Sequence, residues 1–343
     1  MSFMALHFAL LDDARRTRAF DRALAESVRP GDVVADIGAG TGILSLLALK
    51  HGAARVWAVE ESPVAQVIRL LARENGVEGR LKVVRGHSQK VRLPERVDVV
   101  VSEMLGNAVF DEELLGLMAD ARRRFLKPGG RMVPDLVEVA AAPACGGVPG
   151  SRRYGVRLGT VRALALHSFT TPARVRGMGT PRILWRGRMG ERVKLPLELR
   201  GRWRVERADG ARVWFEARLS RSVHLSSLRR THWAPAFFPS REPLRGEVDF
   251  RLRYHGEDRF TWSFNGQAPQ GSMLGDGLAL AQLSLDESSV PRIPAERAKL
   301  LAALPLVDGR RTLGQIARRL KGMSYPDAVR RVKSLCLREG LVW

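Results

Sequence analysis

A glycine-rich turn, Gly38-Ala39-Gly40-Thr41-Gly42, separates the apolar run Val33–Ile37 from the helical stretch Ile43–Lys50. Few features narrow a fold as much. Glycines let the backbone turn sharply after a buried strand and approach a ligand closely, and the N-terminus of the following helix favours negative charge. The pattern continues with a strand over Arg55–Val59, a helix over Pro63–Asn75, and strands over Leu81–Arg85 and Val97–Val101. A helix over Glu112–Phe125 follows, closed by Lys127-Pro128-Gly129-Gly130. Short apolar runs bounded by glycine are those of parallel strands buried on both faces. Alternation of this kind predicts a doubly wound, Rossmann-like α/β sheet. Ahead of it, residues 11–28 carry helical periodicity up to the turn signal Pro30-Gly31.

After Pro134-Asp135 the period changes from helical to alternating. Val213–Leu219, Glu247–Tyr254 and Arg259–Phe264, separated by Gly and Pro, read as antiparallel strands. Residues 151–185 are irregular and rich in Gly and Arg, and 286–294 form a linker. Beyond it the pattern gives helices over Ala295–Leu304, Leu313–Leu320 and Pro326–Glu339 and a short strand, Leu341–Trp343. The predicted domains are therefore 1–134, 135–285 and 286–343.

Composition excludes several classes. Two cysteines, Cys145 and Cys336, cannot build a disulfide framework or a cysteine-rich metal site, so no metal is expected and a reducing, cytoplasmic setting is the default. No run approaches the ~18 apolar residues that a membrane span needs, and the N-terminus lacks the layout of a secretory signal. The formal net charge is +21, but only eight of the 57 basic residues are lysine. Arginine spread over the whole chain is compatible with an anionic partner surface or with steering of a substrate, and nucleic acid is not the favoured reading.

The chemistry is concentrated in Ser102–Glu112, where Glu103 and Glu112 stand nine residues apart at the end of a strand, with Glu113 adjacent. A guanidinium is planar, permanently charged and forked, so two carboxylates closing on it from different edges hold it and orient one nitrogen. Taken alone, two glutamates at a helix start are better read as a solvated N-terminus. Three further segments tip the balance: Val34-Ala35-Asp36-Ile37 leading into the glycine turn, Thr231-His232-Trp233, and His7-x-x-Leu10-Leu11-x-Asp13-x-x-Arg16-Thr17.

Together these resemble the protein arginine methyltransferases over roughly residues 7–285. The resemblance implies a class I methyltransferase domain, an antiparallel β-barrel domain with a dimerisation arm at about 151–185, and S-adenosyl-L-methionine as cofactor. It places Asp36, Gly38, Gly40, Thr41 and Gly42 in the cofactor loop, Glu60 on the ribose hydroxyls, and Ser88 and Gln89 at the adenine. Arg16 becomes the contact to the methionine carboxylate. Glu103 and Glu112 hold the substrate arginine, His232 pairs with Asp13 as part of the catalytic set, and Met104 and Trp233 lie at the substrate.

The chain departs from the family at three points. None of its three tyrosines precedes Tyr154, so the tyrosine lid over the cofactor has no counterpart; Met104 and Asn107 stand at aromatic positions; Gln89 replaces an acidic residue. These departures keep open a same-fold methyltransferase acting on a different amine, and a cofactor-binding scaffold or regulator. The C-terminal segment resembles both a winged helix, whose third helix carries Arg330, Arg331 and Lys333, and the small peptide-chaperone domain of pyrroloquinoline quinone biosynthesis. The first implies DNA contact, the second leader-peptide binding by strand addition, and plain packing against the catalytic core is a third reading. The leading expectation is methyl transfer to arginine in a protein or precursor peptide by a homodimer.

Overall fold

The computed structural model describes residues 3–107, 110, 113–146, 150–171, 175–229, 231–256, 259–267, 269–271, 313–319 and 324. Contacts divide the chain into one unit spanning Met1–Gly271 and a second spanning Ser272–Trp343.

The first unit opens on two helices, α1 (Phe3–Asp12) and α2 (Ala14–Ser27), where the periodicity over 11–28 had suggested one. Asp13 is the reason for the break: its side chain accepts from the backbone N–H of Arg16 at 2.9 Å and so caps α2. Helix α2 then buries Phe20, Ala23 and Leu24 completely, each large side chain contributing about 1.5–3 kcal/mol.

Five strands follow: β1 (Val33–Ile37), β2 (Arg55–Glu60), β3 (Leu81–Arg85), β4 (Val97–Ser102) and β5 (Leu126–Val133), with helices α3 (Ile43–Lys50), α4 (Ala65–Glu74) and α5 (Leu114–Arg124) between them. They form one parallel sheet in the order β3-β2-β1-β4-β5. The order reverses between β1 and β4, and a doubly wound sheet opens its ligand crevice there, at the strands' carboxyl ends. Ile37 pairs with Ser102, so the glycine turn and Glu103 emerge side by side.

Lys127-Pro128-Gly129-Gly130 does not simply stop a helix. Helix α5 ends at Arg124, and these four residues lie inside β5, where the pairing slips between Val97 and Val99. Gly129, at φ 71°, supplies the left-handed step that this bulge requires.

From Leu136 the chain builds an antiparallel sheet. Its strands are β6 (Leu136–Cys145), the short β9 (Arg176–Gly177), β10 (Arg182–Arg188), β11 (Leu197–Arg218), β12 (His224–Ser226), β13 (Ala236–Gly256) and β14 (Arg259–Phe264). Its spine runs β10-β6-β11-β13-β14, with β12 beside β11 and β9 beside β6. Among the described residues no ladder joins β14 to β10. The alternating runs are legible in the burial of β14, whose Phe260, Trp262 and Phe264 point inward. Between β6 and β9, the irregular region holds β7 (Arg152–Arg153), β8 (Val156–Arg157) and a short helix, α6 (Gly159–Ala165).

The second unit contributes α7 (Leu313–Arg319), inside one of the predicted helices. The other elements expected there, including Arg330, Arg331 and Lys333, lie outside the described residues. Among the described residues no helix is long and apolar enough to cross a membrane.

Candidate active site

A cleft of ≈ 310 Å³ opens at the carboxyl ends of β1, β2 and β4. Its floor is the glycine turn. Val59 O on β2 accepts from the backbone N–H of both Gly38 and Ala39, at 3.0 and 3.1 Å, which folds the turn back over the sheet. Gly38, Gly40 and Gly42 all have positive φ, so a side chain at any of them is strained. Gly38 and Gly40 line the cleft with Thr41, whereas Gly42 caps α3 against Ile68.

Two carboxylates support the turn. Glu60, ending β2, accepts from Gly40 N–H at 2.9 Å and from Ser62 N–H at 2.8 Å, and it lines the cleft. Asp36 lies beneath, fully buried, and accepts from Ser45 Oγ at 2.7 Å through Oδ2. Its Oδ1 has no hydrogen-bond partner. Burial pushes the Asp36 carboxyl up to about 6, against the pull of the Ser45 hydrogen bonds.

Of the residues expected further along the cleft, Ser88 lines it, and the Arg124 side chain holds the Ser88 carbonyl. Gln89 does not line it; it turns to a second cleft described below. His7 closes the opposite side, with its ring against Gly40. Met104 enters this cleft too: a Cβ added at Gly38 would lie 2.7 Å from the Met104 sulfur.

Arg16 and Glu103 form a buried ion pair at the cleft wall. Nε and Nη2 of Arg16 both reach Oε2 of Glu103, and each side chain is 7% exposed. Arg16 also donates to Leu10 O at 3.1 Å. Burial pushes the Glu103 carboxyl upward, with the Arg16 charge opposing it. Glu112 lies outside the described residues, as do Ala108, Val109 and Asp111.

The antiparallel sheet reaches the site through the segment after β12. Oδ2 of Asp13 accepts from His232 N–H at 2.8 Å and from Nδ1 at 2.9 Å. An ionised carboxylate only accepts, so the Nδ1 of His232 carries hydrogen and its Nε2 keeps a lone pair. Burial lowers the affinity of His232 for a proton despite Asp13. Trp233 is buried, with its indole N–H donated to Leu105 O and its ring edge-on to Phe215 at 5.0 Å.

Asn107 and Phe110 were not singled out as site residues, yet both pin the glutamate segment. Asn107 Oδ1 accepts from Ala234 N–H at 3.0 Å. Phe110 is fully buried, stacked on Tyr254 at 5.1 Å and edge-on to Trp185 at 5.3 Å. The available signal was the apolar run Ala108-Val109-Phe110 between Asn107 and Asp111, whose large aromatic needs a partner surface to bury it. Among the described residues no cluster of His, Cys, Asp and Glu could hold a metal ion.

Comparison with known proteins agrees with this geometry. The family model described as ribosomal protein L11 methyltransferase (PrmA) matches residues 17–134. Protein arginine N-methyltransferase 6 of Xenopus laevis is 34% identical over 175 residues, 48% of this chain and 52% of that protein. The probable protein arginine N-methyltransferase 6 of Arabidopsis thaliana is 36% identical over 142 residues, 41% of this chain and 33% of that protein. The chain thus spans about half or less of the length of these curated relatives. The solved Trypanosoma brucei PRMT1 enzyme–prozyme heterotetrameric complex with AdoHcy superimposes with a TM-score of 0.69 at 22% identity, covering 76% of this chain and 92% of that one. Arabidopsis thaliana protein arginine methyltransferase 10 gives a TM-score of 0.65 at 20% identity over 78% and 96%. Both likenesses concern the fold.

Proposed function

We propose that this chain, which is similar to protein arginine N-methyltransferases over about half its length, belongs with them and transfers a methyl group from S-adenosyl-L-methionine to a guanidinium nitrogen of arginine in a protein or precursor peptide. The observation that carries this reading is the shared wall: Glu103 lines the same cleft as the glycine turn and Glu60. A carboxylate able to hold an acceptor therefore borders the space suited to an adenosyl group.

The residues fit that cofactor. The turn leaves room for close backbone approach, and Glu60 is an acceptor for ribose hydroxyls at the cleft edge. Arg16, Thr41 and Ser88 complete the lining. When bound, the cofactor supplies an electrophilic sulfonium methyl.

Glu103, with Glu112 from the same segment, holds the incoming guanidinium and balances its charge, so one nitrogen keeps its lone pair for attack in line. Orientation supplies most of the acceleration, because no covalent enzyme intermediate is needed. Charge balance in a site shielded from water adds an electrostatic part. Accepting a methyl group would leave that nitrogen one proton to shed. Nε2 of His232 is a ready acceptor, held by Asp13 on the ring's far side. In the same reading residues 135–285 orient the substrate, 151–185 form a dimerisation arm, and 286–343 hold a leader peptide rather than DNA.

The test is incubation with isotopically labelled S-adenosyl-L-methionine and arginine-containing peptides, with the label located by fragment-ion mass spectrometry. Label on arginine that disappears in Glu112→Gln is the expected result. Full turnover in that variant defeats the assignment.

A further inference from the structure

Gln89 belongs to a second cleft, of ≈ 440 Å³. One wall is the face of α5 carrying Arg123; another is the β13–β14 turn with His255 and Arg259. Arg192, from the segment after β10, completes its cationic lining, and Leu115, Val193 and Tyr254 give it an apolar part.

Three features define what this cleft accepts. Asp120 is already committed, to Arg123 at 2.7 Å and Arg124 at 2.6 Å. Arg192 is exposed and has no ion-pair partner among the described residues. The local potential is positive enough to act on its neighbour: after burial, the charges of Arg259 and Arg253 hold the His255 imidazole below its ordinary range. The cleft also starts at Glu113, one position past Glu112 and held at φ 54°. Over a longer range, a chain of formal charge +21 repels polycationic segments and attracts acidic ones.

Resting on the arginine-transfer reading, we propose that this cleft binds an acidic side chain flanking the target arginine, so that the preferred substrate is a peptide segment in which arginine lies among aspartates and glutamates. Nucleic acid fits less well. The aromatic ring here, Tyr254, is buried and already stacked on Phe110, so no ring is left on which a base could stack.

The test uses the full chain and fluorescein-labelled twelve-residue peptides with one arginine, flanked either by glutamates or by serines. Binding is read by anisotropy and methylation is scored in parallel. The acidic peptide is expected to bind about tenfold more tightly, and Arg192→Glu and Arg123→Ala to erase most of that preference. Arg80→Glu, exposed and outside both clefts, matches the change of charge and is expected to shift affinity less than about twofold. Equal binding of the two peptides, or equal losses in Arg192→Glu and Arg80→Glu, would overturn the proposal. So would a twelve-residue oligothymidylate that binds more tightly than the acidic peptide and is lost in Arg192→Glu. Acid-selective binding with no label on arginine supports the cleft's ligand class and defeats the transfer reading. Label on arginine without acid preference does the reverse.

Discussion

Asp13 and His232 stand 219 positions apart, yet one carboxylate oxygen of the first takes both the backbone N–H and the Nδ1 of the second. Its other oxygen caps α2. A single side chain thus fixes a helix beside the cofactor cleft and an imidazole carried by the antiparallel sheet.

This tie has a definite pH dependence. Burial alone would raise the Asp13 carboxyl, but the N–H groups of Arg16 and His232 and then the His232 ring outweigh it and hold it below 3.8. Burial holds His232 below 6.5. Both groups are depressed, so their contribution is present at neutral pH and is lost as pH falls, through His232 first. Methyl transfer is expected to lose activity on an acid limb whose midpoint lies below 6.5. Asp13→Asn keeps an oxygen for Nδ1–H but removes the negative charge that supports the protonated ring, so the limb should move lower still while kcat falls about tenfold or more. A limb unmoved in the variant would show that His232 does not take the proton.

The buried pair of Arg16 and Glu103 makes a stability prediction that is independent of catalysis. Glu103→Gln leaves the guanidinium without a counter-charge in a wall where each side chain is 7% exposed. The expected cost is about 3–5 kcal/mol in urea denaturation. Replacing both together, as Arg16→Met with Glu103→Leu, should recover most of that loss because no charge is then buried. If the single variant is as stable as the parent, the pair carries no structural weight.

The parallel half of the fold was legible because buried strands and glycine turns leave local signatures. Val33–Ile37, Ile43–Lys50 and Leu81–Arg85 form the elements expected of them. The break at Asp13 was not legible, since helical periodicity runs through it and only the side chain's choice of Arg16 N–H as partner decides it. The bulge at Lys127–Gly130 was misread for a related reason. Pro and Gly after a helix signal a stop locally, whereas the slip in pairing depends on β4 across the sheet. In the site, Asp13 and His232 do meet. The Arg16–Glu103 pair and the burial of Phe110 against Trp185 and Tyr254 are long-range contacts that no spacing encodes.

Gly38 combines two constraints that can be separated by experiment. At φ 69° any side chain is strained, and an added Cβ would sit 2.7 Å from the Met104 sulfur. The backbone part is worth about 1–2 kcal/mol. The contact part is smaller, because a thioether end is flexible. Gly38→Ala is therefore expected to lower stability by about 1–3 kcal/mol and to weaken S-adenosylhomocysteine binding measured by calorimetry. In a Met104→Ala background the stability loss should shrink without vanishing. Complete rescue would assign the whole effect to the methionine and none to the turn.

Asp36 gives the opposite sign to Asp13. Its carboxyl is raised from 3.8 to about 6, so the folded state prefers the protonated form. The contribution is favourable below 3.8 and is lost as pH rises through 6, leaving a penalty at neutral pH on the order of 3 kcal/mol. Asp36→Asn removes the charge and keeps an oxygen for Ser45, at the expense of an amide N–H₂ beside the site of the unpaired Oδ1. The ligand-free variant is expected to gain about 1–2 kcal/mol at pH 7, with the gain fading towards pH 4. A buried carboxylate kept at such a cost beneath the glycine turn points to a benefit on ligand binding, so S-adenosylhomocysteine should bind the variant more weakly at pH 7. If the variant gains stability and binds as tightly as the parent, Asp36 serves neither the fold nor the cofactor.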